Sequence, residues 1–171
     1  MRVLGVDTAS ERPARGFAIA DSGRVVWFGS KPPGPDAGPI DIVAGERPWQ
    51  KREPRATGAW AQRGKKKATG GLSGERLITF CVNNGFQLRD AWPWNPESPP
   101  MFILIPVLTW KDLVLPGCSR MQGDVFCRNF AEKYAPHVAN HNHLDAMGIA
   151  LAASRIQPAQ LKKFVPKGFM R

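Results

Sequence analysis

Three carboxylates occupy comparable positions beside apolar segments of the sequence. Asp7 ends a short apolar run, Glu46 ends the loosely alternating segment 40–46, and Asp145 lies early in a small, apolar helix. If the strands that end in Asp7 and Glu46 are neighbours, their carboxylates converge at one sheet edge, and Asp145 can close the cluster from a packed helix. Each carboxylate alone is more often a turn former or a helix cap, so the prediction depends on the three together.

Converging carboxylates of this kind predict a metal site. Without enough basic partners they repel one another unless divalent cations neutralise them. Oxygen ligands of this type select Mg²⁺ or Mn²⁺. Two such ions about 3.5–4 Å apart can activate a water and stabilise the leaving oxygen in phosphodiester hydrolysis. We therefore predict two ions per active site, with Asp7, Glu46 and Asp145 as catalytic residues and metal ligands.

The charge of the chain indicates a polyanionic partner. The formal net charge is +10, which favours nucleic acid or an acidic membrane surface. Most of this excess lies in segment 47–71, where eight basic residues face one acidic residue and two tryptophans are interleaved. We predict a DNA-binding loop; a solvated charge run with buried tryptophans is the alternative. The phosphate contacts would be Arg47, Lys51, Arg52, Arg55, Arg63, Lys65, Lys66 and Lys67, and the stacking residues Trp49 and Trp60.

Apolar runs separated by turn residues predict the elements that position these residues. Strands are expected at 2–7, 15–21, 24–30, 40–46 and 101–105, and helices at 72–84, 109–115, 120–134 and 141–156. In the helix 120–134, the residues expected to face inward are Met121, Val125, Phe126 and Phe130. An antiparallel meander followed by alternating strands and helices predicts an α/β fold, a mixed five-stranded sheet with helices packed on its faces. Residues 1–158 would form one nuclease domain, and 159–171 a loosely ordered basic tail.

Cysteine usage and hydropathy bear on the compartment. Cys81, Cys118 and Cys127 are odd in number, and their spacing fits neither a disulfide framework nor a zinc ribbon. Each is expected to be a buried thiol in a reducing compartment. No signal-peptide pattern is present, and no apolar run approaches the ~20 residues needed to span a bilayer. These features predict a cytoplasmic protein with no membrane partner.

The chain resembles the RuvC family of Holliday-junction resolvases, within the ribonuclease H-like superfamily. The stretches that carry the resemblance are 3–7 with 16–18, 42–46, and 145–150. Between them, 106–111, Gly117 and 122–125 are similar to the family's proline–lysine–glycine stretch. The resemblance spans roughly 2–156, and the order and spacing of its motifs are more specific than any one of them.

The resemblance implies a Mg²⁺- or Mn²⁺-dependent homodimeric endonuclease that nicks two strands of a four-way DNA junction symmetrically. Asp7, Glu46 and Asp145 would be metal ligands, and the family's fourth ligand falls on Asn142. An Asn can offer a carbonyl oxygen to Mg²⁺, and His141 could take the role instead. Lys111 matches a family lysine near the scissile phosphate, although a surface lysine is an equal alternative.

Two departures from the family pattern are a missing helix and a longer basic segment. The proline-rich loop 31–39 is too short for a helix between the third and fourth strands, and the basic segment is longer than expected. The compact size and the missing helix suggest a viral or organellar relative, placed in host cytoplasm or an organelle; the alternative is a nucleoid-associated bacterial protein. Two other functions stay open. One is a ribonuclease H-like nuclease that cuts RNA–DNA hybrids; the other is a basic nucleic-acid-binding protein without chemistry, whose carboxylates are structural.

Overall fold

The structure, a computed structural model, describes residues 1–8, 16–47, 82–85, 88 and 99–166. Within these residues, five strands form a mixed sheet in the order β3-β2-β1-β4-β5. The strands are β1 (Arg2–Asp7), β2 (Gly16–Asp21), β3 (Arg24–Gly29), β4 (Ile42–Arg47) and β5 (Met101–Pro106). The helices are α1 (Val107–Val114), α2 (Gly123–Tyr134), α3 (His141–Arg155) and α4 (Pro158–Leu161). The predicted α/β class, a mixed five-stranded sheet with helices packed on its face, is confirmed.

The first three strands form the expected antiparallel meander. The turn between β2 and β3 places Ser22 at φ 49° and Gly23 at φ 78°, and positive φ at both central residues suits the twist of a tight hairpin. The chain then crosses to β4 through residues 30–41, which contain only the 3-10 turn Pro35–Ala37. β4 pairs in parallel with both β1 and β5. The carboxyl ends of the central strands β1 and β4 therefore lie together.

The two faces of the sheet pack against different partners. Alternation along a strand sends Val3, Gly5 and Asp7 to one face and Leu4 and Val6 to the other. The first face is covered by α3, with α1 and α2 packed beside it. On the second face, the strands' apolar side chains form a separate cluster with Leu88, whose neighbours 82–85 are helical.

Helix α3 lies unusually close to the sheet. A Cβ built on Gly5 would collide with the backbone of Ala146 and Ala150, and one on Gly16 would collide with the carbonyl of Asn142. These glycines sit under α3 because no other side chain fits. Near its C-terminal end, Arg155 donates from Nη1 to the carbonyl oxygen of Leu113 at 2.7 Å and from Nη2 to the hydroxyl of Tyr134 at 3.1 Å. The helix is therefore held close to β1 and β2 and tied to α1 and α2.

Of the four residues predicted to face inward in the helix 120–134, two do and two do not. Phe126 and Phe130 are buried, but Met121 and Val125 are 40% and 37% exposed. Met121 lies before α2, which begins at Gly123. Within the helix, the buried residues are Phe126, Cys127 and Phe130, so Val125 lies on the exposed side of that face.

The cysteines and the C-terminal region also differ in part from expectation. Cys127 is a buried free thiol, whereas Cys118 is only half-buried; Cys81 lies outside the described residues. The beginning of the basic tail is ordered against the domain, since Leu161 at the end of α4 is buried and a 3-10 turn, Lys162–Phe164, follows it. Across the described part of the chain, no helix is long and apolar enough to cross a membrane.

Candidate active site

Two of the three carboxylates leave adjacent parallel strands at the same level. The pairing of β1 with β4 runs from Val3 with Ile42 to Val6 with Gly45, so the next residues are Asp7 and Glu46. Both belong to the face covered by α3, because side chains alternate along each strand. The structure thus brings Asp7 and Glu46 together, as the apolar runs of the sequence predict.

Asp145 reaches the same place from α3. It directly precedes Ala146, whose carbonyl lies against Gly5 of β1. Burial raises the pKa of the Asp145 carboxyl above its usual value, while Lys111 and His141 oppose that rise. The close approach of α3 to β1 therefore fixes how near Asp145 comes to the strand ends.

Glu46 has a strongly raised pKa. Burial raises its pKa to about 7, against an ordinary value of 4.5. A hydrogen bond from Trp110 opposes the rise, the charges of Asp145 and Asp7 add to it, and Lys111 lowers it. Because all three carboxylates affect this one pKa, they lie within electrostatic reach of one another.

Two side chains that sequence reasoning missed contact these carboxylates. Trp110 donates from Nε1 to Oε2 of Glu46 at 3.0 Å, and Cys127 donates from Sγ to Oδ1 of Asp145 at 3.8 Å. Burial, followed by the charge of Asp145, raises the pKa of the Cys127 thiol to about 12, so the thiol stays neutral. No local pattern marks Trp110, because its contact with Glu46 joins residues 64 positions apart.

Lys111 supplies positive charge to the cluster. Its Nζ lies 4.7 Å from the ring centre of Phe126 and 5.5 Å from that of Trp110. Its charge lowers the pKa of both Glu46 and Asp145. The half-buried Lys111 therefore lies within electrostatic reach of Glu46 and Asp145. Its contact with a scissile phosphate stays a prediction.

The first turn of α3 holds the candidates for a fourth ligand. His141 is exposed, and its charge lowers the pKa of Asp145. Asn142 is half-buried; its backbone N–H donates to Oδ1 of Asn140 at 3.0 Å. His143 points elsewhere, because its Nε2 hydrogen bonds with Oγ of Ser30 at 2.8 Å. The choice between Asn142 and His141 as a ligand stays a prediction.

The donor set fits a divalent cation in chemistry and charge. Carboxylate oxygens are the ligands that Mg²⁺ and Mn²⁺ prefer, and a dication would relieve the mutual repulsion that raises the pKa of Glu46. Among residues 1–8, 16–47, 82–85, 88 and 99–166, no group of three His, Cys, Asp or Glu side chains is arranged as a metal cage as it stands. That Asp7, Glu46 and Asp145 would hold a metal stays a prediction, which rests on the chemistry and charge of the three carboxylates.

Of the predicted DNA contacts in the basic segment, only Arg47 is described, exposed at the end of β4 directly after Glu46. The remaining predicted contacts lie outside the described residues: Lys51, Arg52, Arg55, Arg63, Lys65, Lys66, Lys67, Trp49 and Trp60. Most of the predicted helix 72–84 lies outside them as well, although 82–85 are helical.

Comparisons with known proteins are sparse. No protein-family model matches the sequence, and no curated protein matches it. Among solved structures, the chain is similar to one described as "Thermus thermophilus RuvC structure", with a TM-score of 0.49 and 12% sequence identity. That alignment covers 97% of this chain and 99% of the other. At this identity and TM-score, activity has to be inferred from the residues of this chain.

Proposed function

We propose that this chain is a metal-dependent endonuclease that resolves four-way DNA junctions by paired, symmetric nicks as a homodimer. The observation that carries the proposal is the convergence of Asp7, Glu46 and Asp145 at the ends of two parallel strands and one helix. The resemblance of the sequence motifs to junction resolvases supplies the substrate. The net charge of +10 supports a polyanionic partner.

Each residue has a role that follows from its position. Asp7, Glu46 and Asp145 would hold the metal, with Asn142 or His141 as a fourth ligand. Mg²⁺ or Mn²⁺ would supply water activation and stabilisation of the leaving oxygen when bound. Lys111, beside the carboxylates, would neutralise charge on the scissile phosphate. Arg47 begins the basic segment that would contact neighbouring phosphates.

The test compares cleavage of a four-way junction, an RNA–DNA hybrid and a linear duplex, each with Mg²⁺, Mn²⁺ or a chelator. We expect cleavage of the junction, at symmetric positions on two strands, and none with the chelator. Preferred cleavage of the hybrid would favour the other ribonuclease H-like activity. Binding of all three nucleic acids without cleavage would favour a non-catalytic binding protein.

A matched pair of variants tests the site itself. Asp7→Asn removes a ligand charge and should abolish cleavage while junction binding persists, because phosphate contacts are unchanged. Asp36→Asn makes the same change at an exposed turn residue and should cleave normally. Cleavage that survives Asp7→Asn would contradict the metal site.

A further inference from the structure

Trp110 reaches the carboxylate cluster from α1. Its indole is fully buried, and its only polar atom, Nε1, donates to Oε2 of Glu46 at 3.0 Å. A carboxylate has two oxygens with about four acceptor sites, so this bond leaves capacity for a second partner. The bond therefore constrains the orientation of Glu46 without using up the carboxylate.

The ring is held on both sides, so the donor has little freedom to move. Phe126 packs edge-on against it, with ring centres 5.4 Å apart and planes at 85°. On another side is Gly148 of α3, where an added Cβ would lie 2.6 Å from Cζ3 of the indole. A glycine at this point of a buried helix makes room for the ring and costs helix stability.

The same glycine links the indole to the helix that carries Asp145. Gly148 lies three residues after Asp145, less than one turn along α3. The indole thus rests on the helix of one carboxylate and donates to another carboxylate on β4. Trp110 therefore contacts both α3, which carries Asp145, and Glu46 of β4, which lies 64 positions earlier in the sequence.

We propose that Trp110 is a positioning residue that fixes the orientation of the Glu46 carboxylate for binding a divalent cation. The inference rests on the proposed function only in requiring that the carboxylates bind metal. Hydrogen bonds of this kind to a ligating carboxylate typically contribute 10–100-fold to metal affinity. Trp110 would act through Glu46 and would not itself be a ligand.

The experiment is calorimetric titration of the full chain with Mn²⁺ alone, without DNA, so that cleavage is not the readout. Trp110→Phe keeps an aromatic ring and removes the N–H; we expect Mn²⁺ to bind roughly 10–100-fold more weakly. The control is Phe130→Leu, which alters the same aromatic core one ring further on, where Phe130 stacks on Phe126 at 6.2 Å. That variant should bind Mn²⁺ like the unchanged chain. Circular dichroism confirms folding of each variant at the temperature of the titration.

A second variant keeps the test decisive if Trp110→Phe does not fold. Gly148→Ala pushes against the indole while retaining its N–H, and it should also weaken Mn²⁺ binding. When Trp110→Phe is already present, adding Gly148→Ala should change the Mn²⁺ affinity little further, because the indole N–H that Gly148→Ala displaces is already absent.

The outcomes separate the two proposals. If the unchanged chain binds no Mn²⁺, the metal site fails and the positioning role fails with it. If the unchanged chain binds Mn²⁺ and both Trp110→Phe and Gly148→Ala bind it equally well, only the positioning role is overturned. Equal weakening by Phe130→Leu would also overturn it, because loosening of the core would then explain the effect.

Discussion

The two faces of the sheet are built from residues of different size. Under α3, the central strand β1 presents Gly5 between Val3 and Asp7, and the helix backbone rests on that glycine. On the opposite face the same strand presents Leu4 and Val6, both fully buried in an apolar cluster. One strand therefore supports close helix contact on one side and an ordinary hydrophobic core on the other.

The difference separates two tasks. Burial of large apolar side chains stabilises the fold by an amount that depends on buried area and packing. When one such side chain is shortened, its neighbours can repack around the change. Repacking cannot compensate in the same way for a change in the distance between α3 and β1, because that distance sets the position of Asp145 relative to Asp7. Changes on the α3 face should therefore affect activity and stability together, and changes on the opposite face should affect stability alone.

The largest effect is expected from Gly5→Ala. The added methyl group meets the backbone of Ala146 and Ala150, which cannot yield as a flexible side chain can. We expect a loss of roughly 3 kcal/mol in the free energy of unfolding, typical of overpacking. Junction cleavage should also fall by more than about a hundredfold, because Asp145 is displaced from the strand ends and misplacement of about 1 Å is costly. Urea unfolding and single-turnover cleavage measure the two effects.

Leu4→Ala is the matched variant on the opposite face. It removes a fully buried side chain one residue away and should cost a similar free energy, about 3 kcal/mol. Cleavage at a temperature where the variant is folded should stay close to that of the unchanged chain. Equal loss of cleavage in both variants would show that the two faces do not divide these tasks.

The next effect in size is a pH dependence confined to the α3 face. Because the pKa of Glu46 is about 7 in the folded chain and 4.5 ordinarily, the folded state holds a proton that the unfolded state releases between these values. Without metal, stability should therefore fall as pH rises from about 4.5 to 7, by on the order of 3 kcal/mol. Urea unfolding at pH 5, 6, 7 and 8 measures this dependence.

Two comparisons check the origin of this pH dependence. Glu46→Gln should flatten it, leaving a residual slope of the same sign from Asp145, whose pKa is also raised. Leu4→Ala should shift stability equally at every pH. Mg²⁺ should restore stability chiefly above pH 7, because it binds the charged carboxylates. A stability that is independent of pH in the unchanged chain would contradict the assigned burial of Glu46.

A smaller effect is expected from Lys111→Met. The change keeps most of the aliphatic stem against Phe126 and removes the charge that lowers the pKa of Glu46 and Asp145. Loss of one preformed electrostatic stabiliser should reduce cleavage roughly hundredfold, with little loss of stability. Lys133→Met is the control, since Lys133 lies over Tyr134 at 5.2 Å and should leave cleavage unchanged. Similar cleavage by both variants would return Lys111 to the class of surface lysines.

The smallest effect is expected from Cys127→Ala. The thiol is a weak donor and its contact with Asp145 is long, at 3.8 Å. We expect cleavage within about threefold of the unchanged chain and a stability loss of about 1 kcal/mol. A loss of cleavage as large as that of Lys111→Met would show that the thiol orients Asp145 more strongly than its geometry indicates.

Much of the fold could be predicted because its signals are local. Apolar runs bounded by turn residues locate all five strands to within two residues, and Ser22 with Gly23 predicts the hairpin. The meeting of Asp7 and Glu46 was predicted only on the condition that β1 and β4 are neighbours, and the structure supplies that parallel pairing. Asp145 was accessible because it opens a helix whose small residues suit close packing.

The rest depends on contacts that no local pattern records. Trp110 meets Glu46 across 64 positions, so its role follows only from the packing of α1 against the end of β4. Met121 and Val125 were misassigned although their spacing matches a helical face: Met121 precedes the helix, and tertiary packing buries Cys127 beside Phe126 and leaves Val125 exposed. The fourth ligand is ambiguous for a similar reason, since His141 and Asn142 share one turn.

Helix α3 is fastened at both ends. Near its start His143 bonds to Ser30 beyond the edge strand β3, and at its end Arg155 bonds to the carbonyl of Leu113 and to Tyr134. A slip of one residue would move Asp145 by about 1.5 Å and turn it by about 100°, and would break both fastenings. We therefore expect insertions at the exposed residues 136 and 137 to lengthen the connection without moving the carboxylate, since Ala135 and Val138 are buried and Asn140 caps α3. The hydrogen bonds of His143 and Arg155, rather than the length of the connection before α3, would then hold Asp145 in position.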